Sequence, residues 1–137
     1  MITGLSHITL ACRDLDRMAA NLTSVPGAQQ VYDSGDRRFS LSRERFFVAG
    51  GLWIAVMQGD PLPECSYNRI AFQIEDADYD RLYQRIQSLG LEIRPPRPRV
   101  AGEGRSICSY DDDNHLFELH TGTLDQRLNH YAASEAA

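Results

Sequence analysis

Alternation sets in almost at once. Along Leu5-Ser6-His7-Ile8-Thr9-Leu10-Ala11-Cys12-Arg13-Asp14, an extended chain puts Leu5, His7, Thr9 and Ala11 on one side and Ser6, Ile8, Leu10 and Cys12 on the other. The second set is apolar and predicts a strand packed under helices. The first set carries an imidazole beside a hydroxyl. The pattern returns at Tyr67 to Asp76, about 62 residues further on, with Arg69 in the place of His7, Ala71 in that of Thr9 and Asp76 in that of Asp14. An internal repeat fixes architecture. Here it predicts two similar halves whose first strands face one shared site.

The intervening segments read the same way twice. A helix starts at Asp14-Leu15-Asp16, buries Leu15, Met18, Ala19 and Leu22, and stops near Ser24 because Pro26-Gly27 follows. A short strand over Ala28 to Tyr32 and a turn at Ser34-Gly35-Asp36 follow; Arg38 to Leu41 continues the sheet, and Phe46 to Gly50 leads into Leu52 to Met57, which completes the first half. Gly59 to Glu64 is turn-rich and marks the boundary. The second half has a strand over Tyr67 to Ile74 and a helix over Asp78 to Leu89, left through Gly90. Leu91 to Ile93 resumes the sheet, and Pro95-Pro96-Arg97-Pro98 must lie at an edge or in an extended loop. Strands follow at Ser106 to Tyr110 and His115 to His120, then a short helix over Leu124 to Tyr131 and a frayed tail, Ala132 to Ala137. Each half is strand, helix, three strands. The prediction is an α+β fold of paired βαβββ modules, with mixed sheets curled round a cleft. One domain, 1–137, would contain module 1 at about 1–60, module 2 at about 66–122 and a C-terminal helix at about 124–131.

Composition narrows the partners. A net charge of -5 argues against nucleic acid or an anionic membrane surface, yet leaves room for a small anion held by a local arginine cluster. No apolar run approaches the ~20 residues that span a bilayer, and no signal peptide is visible. Cys12, Cys65 and Cys108 are odd in number and widely spaced, which fits a reducing cytoplasm and no disulfide framework.

Chemistry concentrates on a few strand positions. Glu118 and His120 share a face of the last strand, and a carboxylate inside an apolar strand is costly unless it is paired or on a metal. The repeat sets Ala55 opposite Glu118, so His7, Ala55, Arg69 and Glu118 become equivalent facing positions. One imidazole and one carboxylate suit a divalent ion such as Mn²⁺. The plainer reading of His7 alone is a hydrogen-bonded core histidine. Thr9, on the His7 face, is placed to donate to an anion, and otherwise is an ordinary strand residue. Glu44, between Arg43 and Arg45, reads by itself as a solvated surface carboxylate. Arg97, Arg99 and Arg105 surround the Pro- and Gly-rich loops and offer local positive potential.

With these motifs in view, the chain resembles the vicinal-oxygen-chelate superfamily, and within it the FosX-type fosfomycin resistance proteins. The resemblance runs from Met1 to about Tyr131. It is carried by GLSHITL (Gly4 to Leu10), SGD…FSLS.E (Ser34 to Glu44), GLWI (Gly51 to Ile54), YN.IAFQI (Tyr67 to Ile74), RPRV.GEGRSI (Arg97 to Ile107) and DNHLFELH.GTL (Asp113 to Leu124). It implies a domain-swapped homodimer and a Mn²⁺-dependent cytoplasmic enzyme that opens the epoxide of fosfomycin with water. It further implies metal ligands at His7, position 69 and Glu118, a general base at Glu44, and substrate contacts at Tyr67, Ser106 and Arg127.

Two positions depart from that pattern. Arg69 stands where the family has His, and a guanidinium has no lone pair to offer a cation. Instead it is placed to pair with Glu118. Cys108 stands where relatives carry a Tyr, and reads as a small buried strand residue. Two alternatives accompany the hydrolase: a thiol transferase on the same substrate, and a metal-free anion-binding protein with Arg69 in place of the ion.

Overall fold

The computed structural model describes residues 1–99 and 101–136. Val100, inside the Arg97 to Ile107 motif, and Ala137, at the end of the expected tail, lie outside the described residues. The chain divides into two compact units, Met1–Cys65 with Asp111–His115, and Ser66–Tyr110 with the segment from Leu116 onward. Among the described residues no helix is long and apolar enough to cross a membrane.

The first unit runs β1 (His7–Cys12), α1 (Leu15–Ser24), β2 (Gln29–Asp33), β3 (Glu44–Ala49) and β4 (Leu52–Gln58). Its sheet has the order β1-β4-β3-β2, with β1 parallel to β4 and the other pairs antiparallel. Asp14 starts α1 by accepting the Arg17 amide at 3.0 Å. Leu15, Met18 and Leu22 of α1 are buried, as are Leu10, Cys12, Phe47, Ile54 and Val56 of the sheet. Each large side chain so buried contributes roughly 1.5–3 kcal/mol.

Two expectations for this unit are corrected. Arg38 to Leu41 is not a strand. Ser34 closes the hairpin by itself: its amide donates to the Glu44 carbonyl at 3.0 Å and its hydroxyl accepts the Glu44 amide at 3.0 Å. Residues between them are thereby pushed out of the ladder, and Phe39 and Leu41 are exposed. The turn Asp111–His115 also belongs with the first unit, not the second. Asp113 accepts from the Arg13 amide at 3.1 Å, and Asp112 accepts from Arg17 Nε at 2.8 Å.

In the second unit come β5 (Arg69–Gln73), a single 3₁₀ turn (Asp76–Asp78), α2 (Tyr79–Ser88), β6 (Glu92–Ile93), β7 (Ser106–Tyr110), β8 (Leu116–His120) and α3 (Leu124–Ala136). The order β5-β8-β7-β6 repeats that of the first sheet. Register repeats as well: Thr9 lies beside Ala55 in one sheet, Ala71 beside Glu118 in the other. Leu82 and Ile86 of α2 are buried, as are Ile107 and Leu119 of the sheet. Helix α3 continues past Tyr131 to Ala136 where a frayed tail was expected. The alanines there are strong helix formers, and Ser134 Oγ donates to the His130 carbonyl at 3.0 Å.

Burial, followed by the charges of Asp113, Asp111 and Asp14, pushes the Cys12 thiol up from 9.0 to about 12. The fold therefore favours the protonated thiol; this contribution is intact below 9.0 and is lost as pH rises through about 12. Under mildly alkaline conditions an alkylating reagent is expected to modify exposed Cys65 rapidly and Cys12 only after unfolding, as read by mass spectrometry of the peptides.

Candidate functional site

Strand pairing sorts the side chains of the first sheet. His7 lies beside Trp53, Thr9 beside Ala55, and Glu44, Phe46 and Val48 oppose Met57, Ala55 and Trp53, so all of these share the face turned from α1. The His7 ring stacks on Trp53 with centroids 4.2 Å apart, and its Nδ1 is 2.9 Å from Ser6 Oγ. That leaves Nε2 as the outward nitrogen. Thr9 is exposed two residues further along. The Glu44 carboxylate is half-buried and bonded to no described group, while its neighbours are committed elsewhere. Arg43 donates to the Gly35 carbonyl, and Arg45 pairs with Asp16 and Asp33.

The second sheet carries a continuous polar string on its corresponding face. Arg69 Nε donates to Glu118 Oε1 at 2.6 Å, and Ser106 Oγ donates to Glu118 Oε2 at 2.9 Å. Ser106 Oγ is in turn 2.6 Å from His120 Nδ1, and Arg127 Nη2 lies 3.3 Å from His120 Nε2. A guanidinium only donates, so Nε2 accepts and the His120 proton sits on Nδ1. Burial lowers the His120 pKa against the raising effect of Glu118, and Arg127 lowers it further; the ring is neutral. Burial alone would raise the Glu118 pKa, but hydrogen bonds from Arg69 and Ser106 and the Arg69 charge hold it below 4.5. Glu118 is thus an ionised, buried carboxylate with both oxygens engaged.

Around this string lies a pocket of ≈ 100 Å³ lined by Tyr67, Arg69, Arg94, Arg97, Arg99, Ser106, Cys108, Glu118 and Arg127. A more open cleft of ≈ 580 Å³ shares Tyr67, Arg69, Glu118 and Arg127 with it. The Arg69 guanidinium sits 4.3 Å from the Tyr67 ring centroid and donates to the Tyr67 carbonyl at 3.2 Å. Arg94 lies 5.2 Å from the same ring and donates to Tyr110 Oη at 2.9 Å. Arg105, expected to serve the pocket, instead pairs with Asp76 at 2.9 Å over the Tyr79 ring. Cys108 lies opposite Glu118, and burial followed by the Glu118 charge raises its pKa, so it is a thiol and a poor nucleophile.

The second unit therefore gathers Tyr67, Arg69, Ser106, Glu118 and Arg127, and the first unit aligns His7, Thr9 and Glu44 on one sheet face. His120 and Arg94 escaped the sequence reading as site residues. For His120 a signal existed, the shared face with Glu118; for Arg94, in the loop before the prolines, none did. His7 in the first unit and Glu118 in the second are each of a donor type that a divalent ion accepts. Arg69 is no ligand, and among the described residues no three His, Cys, Asp or Glu side chains gather as a ready-made metal cluster.

A family model described as Glyoxalase/Bleomycin resistance protein/Dioxygenase superfamily matches residues 4–119. Together with the duplicated sheets, that match makes the chain a member of this superfamily. It is 62% identical over 128 residues to the fosfomycin resistance protein FosX of Mesorhizobium japonicum, covering 93% of this chain and 92% of that one. A FosX variant from Listeria monocytogenes, solved in complex with Mn(II) and 1S,2S-dihydroxypropylphosphonic acid, is 53% identical with a TM-score of 0.88, over 96% of this chain and 99% of that one. The metallothiol transferase FosB of Shouchella clausii is more distant, at 34% identity over 96% of this chain and 88% of that one. The chain belongs to the FosX family of fosfomycin resistance proteins.

The Arg69–Glu118 pair sets a measurable titration. Because the folded Glu118 pKa lies below 4.5, the pair's contribution is complete above that value and is lost as pH falls through the lower one. In Arg69→Ala, burial acts without the guanidinium and the Glu118 pKa rises; carboxyl ¹³C NMR titration checks the direction.

Proposed function

We propose that this protein inactivates fosfomycin by adding water to its epoxide, with Mn²⁺ as its metal ion. The observation that carries this reading is the Glu44 carboxylate, unbonded among the described residues and on the same sheet face as His7 and Thr9, in a chain of the FosX family. Its relative from Listeria monocytogenes was solved with Mn(II) and a dihydroxypropylphosphonic acid, the diol that such an addition yields.

His7 and Glu118 are the donors that would hold the ion, Glu118 giving up its bond to Arg69 to do so; position 69 itself adds nothing because Arg offers no lone pair. When bound, the ion supplies Lewis acidity to the epoxide oxygen. The chain's own groups do the rest. Glu44 takes a proton from water onto a carboxylate oxygen as the water oxygen bonds to an epoxide carbon. The ring C–O bond breaks onto its oxygen, which takes a proton from solvent while Glu44 releases its own to solvent, and the product is the vicinal diol. Thr9, Tyr67 and Arg127 would bind the phosphonate, Arg127 being already oriented by His120; Ser106, whose proton goes to Glu118, would reach the phosphonate only by giving up that bond. A water route suits a carboxylate base, whereas a thiol already poised as thiolate would not need one.

Incubation with fosfomycin and Mn²⁺ is expected to give the diol by ³¹P NMR, with no adduct when glutathione or another thiol is added. Glu44→Gln should lower diol formation by about 10²-fold or more while leaving Mn²⁺ uptake intact; diol formation at the full rate in that variant would remove Glu44 as the base.

We further infer that the working unit is a homodimer. The exposed sheet face bearing Val48, His7 and Thr9 supports that reading. Sedimentation equilibrium should return twice the 15.4 kDa chain mass, and a monomer at micromolar concentration would refute it.

A further inference from the structure

We propose that, when no divalent ion is bound, Arg69 takes its place beside Glu118 and the pocket still binds a tetrahedral oxyanion, phosphate or phosphonate. The proposal concerns the site of the reading above but not its chemistry, and it can hold whether or not the epoxide is hydrolysed.

Three observations converge on it. The first is that the Glu118 charge is already balanced. Arg69 Nε meets Oε1 at 2.6 Å, and the guanidinium is held from two further directions by the Tyr67 carbonyl and ring. Those bonds use one proton on Nε and one on Nη1. A guanidinium has five, so three N–H donors remain to face a ligand. Without a bound ion the carboxylate would otherwise need a cation from outside; Arg69, on β5, supplies that charge in the ion-free site.

The second observation is the excess of positive charge. Arg69, Arg94, Arg97, Arg99 and Arg127 line the pocket against the single carboxylate Glu118. Arg97 is partly neutralised by Glu103, at 3.4 Å. The others have no acidic partner besides Glu118 among the described ion pairs, so the pocket carries a net charge suited to a dianion. Its ≈ 100 Å³ leaves room for a small tetrahedral oxyanion.

The third is an unused donor. Arg99 Nη1 is buried and has no hydrogen-bond partner in the described structure, although Arg99 lines the pocket. An unsatisfied buried donor of this kind is costly and is stabilised by an acceptor arriving from outside. An oxyanion supplies such an acceptor; a metal ion does not.

The test is isothermal titration calorimetry on protein stripped and kept in EDTA, with inorganic phosphate in one arm and fosfomycin in the other. Saturable binding of one anion per chain is expected in at least one arm. Phosphate alone would identify a free-phosphate site, and binding of fosfomycin would identify the phosphonate group as its occupant. Arg69→Ala and Arg99→Gln should each weaken the metal-free binding about tenfold or more, with the fold verified by circular dichroism. Should Arg69→Ala not fold, Arg99→Gln alone decides. Arg69→His should make anion binding dependent on Mn²⁺, with Mn²⁺ uptake followed by electron paramagnetic resonance. Absence of saturable binding in both arms, or binding unchanged in the Arg99→Gln variant, would overturn the proposal. Turnover is not read in this experiment, so a failure of hydrolysis and a failure of metal-free binding are separate results.

Discussion

A charge removed from water has to be answered locally, and Glu118 is where this protein meets that requirement. Its side chain is 9% exposed and ionised. Left alone, a carboxylate in such a place would take up a proton instead of staying charged. It is kept charged by a guanidinium on one oxygen and a hydroxyl on the other. Because Ser106 spends its proton on Glu118, its lone pairs are left to accept from His120, and His120 is left to accept from Arg127. One electrostatic demand at the centre of β8 thus fixes hydrogen-bond direction over a string of five side chains. The rings and carbonyl of the neighbouring loop then fix the orientation of Arg69.

Duplication supplies the frame. In each unit a parallel pair opens the sheet, helices cover one face, and the other face is left for chemistry. Equivalent register positions then diverge in character. On the first sheet His7, Trp53, Ala55 and Glu44 occupy them; on the second Arg69, Leu116, Glu118 and Ser106 do. The backbone plan is common, and the division between a nearly neutral aromatic face and a strongly cationic one is written entirely in side chains.

Much of this could be read from the sequence because its signals were local. Alternation at His7 and Arg69, the Asp14 cap, the glycine exit at Gly90 and the strand from Ser106 to Tyr110 all depend on residues within a few positions of one another. The pairing of Glu118 with Arg69 spans 49 positions and was legible only because the repeat sets their strands side by side. What escaped the reading depended on distant partners. The Ser34–Glu44 bonds that cut short a strand over Arg38 to Leu41 span a loop, and the Arg13 and Arg17 bonds that bind Asp111–His115 to the first unit reach across about a hundred residues. Arg105 carries the same charge as Arg97 and Arg99, yet Asp76 captures it. No pattern along the chain distinguishes those three arginines.

The terminal helix has a consequence of its own. Among its described residues α3 buries none. It is held by polar bonds, chiefly Tyr131 Oη to the buried Glu103 at 2.7 Å and Arg127 to His120. Beneath it, Gly104 and Gly122 meet so closely that a Cβ on Gly104 would lie 2.7 Å from the Gly122 amide nitrogen. Bonds of this sort trade readily with water, whereas the apolar contacts of the sheet do not. With none of its described residues buried to hold it, α3 is expected to open before β7 and β8, and its amide protons to exchange first.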